Sequence, residues 1–264
     1  MIRTYIYLKN LWKKALRHDY VRSNNGNWKT NFHSDLIKRY TKKAQTAKKG
    51  QRPIAILIGG GTASGKSSLR KSVTPALIKS KNIQTIAIDP DDIKEQLPHY
   101  HKLKKHKPNH AAALVHKESR KICQKVLSEL INQRKHLIYE ETMARTNKYM
   151  ELVKSLKAAN YEIYVYIVDV PLKTAKKRAD QRAKLTGRHV PHSIIERTHK
   201  LVPRTFELIK EYCDEYRIYD TTKELRLIAS NDFLDEKKYA LFLAKGRKNR
   251  NDSPSIRIQY RRGS

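Results

Sequence analysis

The chain has 264 residues, 57 of them lysine or arginine against 25 aspartate or glutamate, giving a formal net charge of +32. That length suits one large domain with appendages, and the charge predicts attraction to polyanions, whether nucleotides, nucleotide sugars, RNA, anionic membrane surfaces or acidic proteins. Two distant cysteines, Cys123 and Cys213, give neither a disulfide framework nor metal-ligand spacing, and with a mean hydropathy of −0.76 no segment nears the roughly 20 apolar residues of a membrane span.

In chain order, "MIRTYIYLKNLWKK" opens basic, and Lys9, Lys13 and Lys14 interrupt its apolar run before a signal-peptide core can form. A soluble protein of a reducing cytoplasm, or one delivered into another cell, is expected. Residues 1–50 read as one or two basic helices separated by the turn signal "SNNGN" at 23–27. Short β-branched runs then alternate with helical patterns, the mark of a mainly parallel sheet flanked by helices. The predicted strands are 54–58, 84–88, 136–140, 162–170 and 216–220, with 225–230 as an antiparallel sixth at the edge. Helices are expected over 111–134, 147–160 and 171–188, and over 192–213 with a break or bend near Pro203. From about residue 245 few core-forming residues remain and a mobile tail is expected.

Directly after the first strand, Gly60, Gly61, Thr62, Ala63, Ser64, Gly65, Lys66, Ser67 and Ser68 have the P-loop spacing. There, glycines let backbone N–H groups converge on phosphate oxygens at the start of a helix. Lys66 is placed to reach the β and γ phosphates of ATP and Ser67 to ligate Mg²⁺. The second strand ends in "IDPDD", with Asp89, Asp91 and Asp92. One of these acids suits a proton acceptor and another a Mg²⁺ water, while a plain helix cap by Asp89 or Asp91 is the bland alternative.

The third strand ends in "YEETMART". Its acids Glu140 and Glu141 suit sugar hydroxyls, and Thr142 and Arg145 suit an anionic acceptor, against the alternative of an exposed loop. Arg178, Arg182 and Arg188 crowd one short span with Gly187 as a hinge, and arginines on a closing lid stabilise a transferring phosphoryl group. "HYHKLKKHKPNH" at 99–110 lacks metal-ligand spacing and reads as a mobile loop over the acceptor site.

The order P-loop, "IDPDDIKEQLPHY", "AAALVHKESRKI", "YEET" and "GRHVP", over roughly residues 52–222, resembles the zeta toxin family of bacterial P-loop kinases. The resemblance implies an α/β P-loop NTPase kinase core with a mainly parallel five- to six-stranded sheet, which is placed at 51–233; composition gives a basic helical N-terminal extension at 1–50 and a basic C-terminal helix and tail at 234–264. The resemblance further implies Mg²⁺-dependent transfer of the ATP γ-phosphate to a hydroxyl of a small nucleotide-containing acceptor, foremost UDP-N-acetylglucosamine, and an antitoxin that holds the enzyme inactive. By position, Asp91 falls on the family's catalytic base, Lys66 and Ser67 on its phosphate and metal residues, Glu140 and Thr142 on its acceptor-binding strand end, and Arg182 and Arg188 on its lid arginines. Asp89 is expected beside Ser67 on the metal. The chain departs from the family at Glu141, where glycine is frequent, and at Arg145, which follows the threonine at a greater distance. The basic ends leave an antitoxin, a target protein or nucleic acid as expected partners, and RNA as the alternative acceptor.

Overall fold

The apolar run after Pro53 forms β1 (Ile54–Gly60), buried along its whole length in the computed structural model, which describes residues 28–186 and 189–247. Its side chains divide with the period of two. Ala55 and Leu57 enter the core on one face, and Ile54, Ile56 and Ile58 that on the other. β4 (Glu162–Asp169) divides likewise, with Ile163, Val165 and Ile167 opposed to Tyr164, Tyr166 and Val168. Strands covered on both faces belong to parallel sheets. With β2 (Ile86–Ile88), β3 (Leu137–Glu140), β5 (Glu215–Asp220) and β6 (Arg226–Ser230), the sheet order is β2-β3-β1-β4-β5-β6. Every neighbouring pair is parallel except β5 with β6. All six predicted strands therefore form, and the edge strand is antiparallel as expected.

One sheet face is covered by α2 (Lys66–Ser80), through Leu69, Val73 and Leu77. The other is covered by α1 (Trp28–Lys43), α5 (Pro108–Asn132), α6 (Thr146–Ala158), α8 (His192–Ile209) and α9 (Glu236–Ala244). They contribute Leu36, Val126, Val153, Phe206 and Phe242 to a single core. The remaining helices are α3 (Pro90–Gln96) and α4 (Pro98–His106), which pack on α5, and α7 (Leu172–Thr186), which packs on α8. Residues just beyond α1 are stitched to the sheet: Gln45 N–H donates to Gln84 O at 3.1 Å, and His136 N–H donates to Gln45 O at 2.9 Å.

Two expectations are corrected. The stretch 99–110 is not a loop but α4 and the start of α5, with Pro98 and Pro108 at the first helical positions, where a missing N–H costs nothing. Tyr100 is buried in the core, and Glu118 of α5 ties His99 of α4 (3.1 Å) and His33 of α1 (2.8 Å) to one carboxylate. The helix over 192–213 is not broken at Pro203, which is buried inside α8; the helix ends at Ile209 and a 3₁₀ turn, Lys210–Tyr212, follows. Pro203 removes only the N–H that would bond the carbonyl of His199. The segment before residue 28, including the "SNNGN" turn, and the tail from 248 lie outside the described residues.

Candidate active site

The chain leaves β1 toward β2 and β3 on one side and later toward β4 and β5 on the other, so the strand order reverses at β1. Crevices at the carboxyl ends of strands at such a reversal are where α/β sheets bind ligands. A cavity of about 740 Å³ lies there, walled by the loop after β1, the ends of β2 and β3, and residues of α5, α7 and α8.

The loop itself runs from Gly60 (φ +149°) through Ala63 (φ +60°) to Gly65 (φ +104°). The left-handed turn at Ala63 costs a residue with a Cβ about 1–2 kcal/mol and persists because its neighbours hold it. Thr62, Ala63, Ser64, Gly65, Lys66, Ser67 and Ser68 line the cavity, whereas Gly60 and Gly61 stand behind it. Lys66 Nζ donates to Gly60 O at 3.1 Å and Gly61 O at 3.0 Å. Burial pulls the Lys66 pKa below the ordinary lysine value, and the charge of Arg182, which also lines the cavity, adds to the pull.

The acids converge from two strand ends. Asp89, buried, caps α3 by accepting from Asp91 N–H at 2.8 Å. Burial, reinforced by Asp91 and Glu140, pushes its carboxyl up to about 7. The cap reading and the cavity reading thus hold together for this residue. Asp91 is half-exposed to the cavity, and Lys94, a buried lysine of the same helix turn, donates to its Oδ1 at 2.8 Å. Glu140 is buried yet lines the cavity: Oε1 accepts from Ser67 Oγ at 2.7 Å, and Oε2 sits 3.0 Å from Arg70 Nε without an aligned hydrogen bond.

Thr142 and Arg145 line the far side together with Glu141. Glu141 is consumed by neighbours, accepting from Arg120 Nη2 at 2.6 Å and from Tyr139 OH at 2.8 Å. Arg182 lines the cavity, and Gly187 and Arg188 lie outside the described residues.

The wall residues Lys94, Arg197 and Thr198 had no part in the sequence reading of the site. Lys94 follows Asp91 by three positions and so shares a helix face with an expected site residue, a signal that was available; Arg197 and Thr198 carry no such signal. Arg178, expected on the lid, lines the wall, and Thr221 bonds the loop without lining the cavity. Arg178 Nη1 donates to Ser64 O at 3.2 Å and Thr221 Oγ1 donates to the same oxygen at 2.7 Å, across 114 and 157 residues of chain.

The oxygen-only donors Ser67, Asp89 and Glu140 fit a hard cation such as Mg²⁺, which is usually held by one or two carboxylates together with substrate phosphates. Among the described residues no group of three or more histidines, cysteines and acids forms an all-protein metal cage. No described helix is long and apolar enough to cross a membrane.

Comparison with known proteins agrees with this geometry. Toxin zeta of Streptococcus pyogenes is 29% identical over 140 residues, which are 53% of this chain and 47% of that protein. Toxin PezT of Streptococcus pneumoniae is 24% identical over 139 residues, 52% of this chain and 53% of that one. The chain thus spans about half the length of the curated relatives it matches. Among solved structures, one from the PezAT chromosomal toxin-antitoxin system of the same pathogen superposes with a TM-score of 0.66 at 14% identity, covering 86% of this chain and 92% of that one. The complex AvrRxo1-ORF1:-ORF2 with ATP gives 0.62 at 16% identity, covering 88% and 74%. These likenesses show the P-loop kinase fold. The model of the family described as zeta toxin matches residues 37–232, about three quarters of the sequence, and the chain belongs to the zeta toxin family.

Proposed function

We propose that the protein is an ATP- and Mg²⁺-dependent kinase that moves the γ-phosphate to a hydroxyl of a small nucleotide-containing acceptor, UDP-N-acetylglucosamine or a related nucleotide sugar. The observation that carries this reading is the convergence of Lys66, Ser67, Asp91 and Arg182 on one cavity of about 740 Å³. In transfer, the acceptor oxygen loses its proton to the Asp91 carboxylate and bonds to the γ-phosphorus, while the bond from that phosphorus to the bridging oxygen breaks with its electron pair left on ADP. Asp91 suits the role by exposure: it faces the cavity, whereas Asp89 is occupied as a cap.

Lys66 and the loop N–H groups hold the phosphates, and Arg182 offsets charge on the transferring group. Arg188 joins it on the strength of family membership. Ser67, with Glu140 and Asp89, would hold Mg²⁺, which when bound would neutralise phosphate charge. Thr142 and Arg145 meet the acceptor. The PezAT relationship supports a toxin restrained by an antitoxin protein.

Asp91→Asn is expected to lower phosphate transfer by about 10²–10⁴-fold, and Lys66→Ala by at least about 10²-fold, with circular dichroism unchanged. Appreciable transfer by either folded variant removes the assigned chemistry.

A further inference from the structure

The phosphate loop is gripped from behind by α8. Thr62 N–H donates to Thr198 Oγ1 at 3.1 Å, and His199 Nε2 lies 3.0 Å from Thr62 O. A carbonyl only accepts, so Nε2 carries the proton and donates. Both backbone polar groups of Thr62, in the two peptide units that flank its Cα, are thus tied to consecutive side chains of one helix. The buried His199 ring also lies flat against the loop: a Cβ on Gly61 would come within 2.1–2.4 Å of it. Glycine at 61 is therefore required by the ring rather than by its own backbone angles. Beyond Ala63, Ser64 O is held by Thr221 and Arg178. The left-handed turn at Ala63 is pinned on both sides.

Thr198 and Arg178 also line the cavity, so substituting either would alter the wall as well as the loop. His199 does not line it. Whatever it does for a ligand must pass through Thr62 and Gly61. A general-base role is excluded by the same geometry, since its one bonded nitrogen is spent on a carbonyl behind the loop. Burial holds the imidazole neutral, with its pKa lowered to about 4, so the grip persists across the neutral range.

We propose that His199 is a positioning residue for nucleotide binding: it fixes the Thr62–Ala63 peptide, and with it the left-handed Ala63, in the shape whose N–H groups donate to phosphate oxygens. This rests on the reading that the loop binds nucleotide. The preorganisation is supplied by α8, a helix more than a hundred residues away in sequence, and not by the loop's own residues.

The test is calorimetric titration of the full chain with Mg²⁺ and ADP, so that no acceptor is needed, alongside thermal melting without nucleotide. His199→Leu keeps volume and loses the donor; His199→Gln keeps an N–H donor of similar reach. The expected result is that ADP binds roughly tenfold or more weakly to the Leu variant, the worth of a lost buried hydrogen bond. The Gln variant should stay within about threefold of the unaltered protein while melting with the Leu variant. ADP affinity unchanged in the Leu variant, or lost equally in both, overturns the proposal. Should the Leu variant fail to fold, Gly61→Ala displaces the ring from the other side and is expected to weaken ADP similarly, whereas Gly61→Ala combined with His199→Ala should bind no worse than His199→Ala alone. Normal ADP binding by Gly61→Ala overturns the proposal. Failure of the unaltered protein to bind ADP defeats the underlying nucleotide reading, a separate and recognisable result.

Discussion

Glu140 has two conceivable duties, and its neighbours separate them. Its place at the end of β3 was legible from a strand pattern ending in an acid, and from that edge position sugar hydroxyls were the natural guess. Its partners, Ser67 and Arg70, lie about seventy residues earlier and meet it only because β3 sits beside β1. The contact with Ser67 favours the metal side. Glu140→Gln should therefore raise the Mg²⁺ concentration for half-maximal activity by about 10–100-fold, the usual effect of losing a group behind a metal ligand, with little change in acceptor KM. A raised acceptor KM at saturating Mg²⁺ would return Glu140 to the acceptor. His199 gives a second residue-scale prediction. Between its ordinary 6.5 and its folded value of about 4, the unfolded chain binds a proton that the folded chain refuses, so stability is lost as pH falls through that window. Asp89, raised from 3.8 to about 7, works oppositely and loses its contribution as pH rises. The difference between the protein and His199→Leu isolates the histidine: the Leu variant should gain relative stability on the order of 3 kcal/mol between pH 7 and pH 4. Denaturant titrations showing a pH-independent difference would contradict a buried neutral imidazole.

At the scale of elements, the strands were readable because both faces of a parallel sheet are apolar and β-branched, as in "IAILI" and "EIYVYIVDV". α4 was not. In "PHYHKLKKH" the inward-facing apolar residues are only Tyr100 and Leu103, with His99 buried beside them, and the flanking prolines look like loop punctuation although each starts a helix. Pro203 misled similarly: it is buried within a continuous α8, a helix that packs on α6 and β1. α1 is the element whose composition concealed most. Its lysines suggest a solvated appendage, yet Leu36 is buried in the main core and His33 reaches Glu118 of α5. Leu36→Ala is expected to destabilise the whole protein by about 2–5 kcal/mol, the range for emptying a core leucine site, in one cooperative transition. A change of a few tenths of a kcal/mol would mean that α1 is dispensable to the core.

At the scale of the molecule, the topology gathers the site. One reversal of strand order sets the loop after β1, the acids after β2 and β3, and the arginines after β4 around a single cavity. Motif order along the chain made that gathering legible, but which groups touch was not, because the deciding contacts join residues separated by up to 157 positions. The net charge of +32 exceeds what the proposed transfer requires. A cavity closed over a nucleotide sugar needs no such field, whereas a nucleic-acid acceptor would exploit it. The central claim is tested most directly by following label from γ-labelled ATP, with Mg²⁺, into UDP-N-acetylglucosamine, free nucleotides and short RNAs, with Asp91→Asn in parallel. A nucleotide-sugar kinase should put label in the nucleotide sugar, insensitive to moderate salt and absent in Asp91→Asn. Label in RNA instead, falling steeply with salt, or equal label from Asp91→Asn, would contradict that assignment.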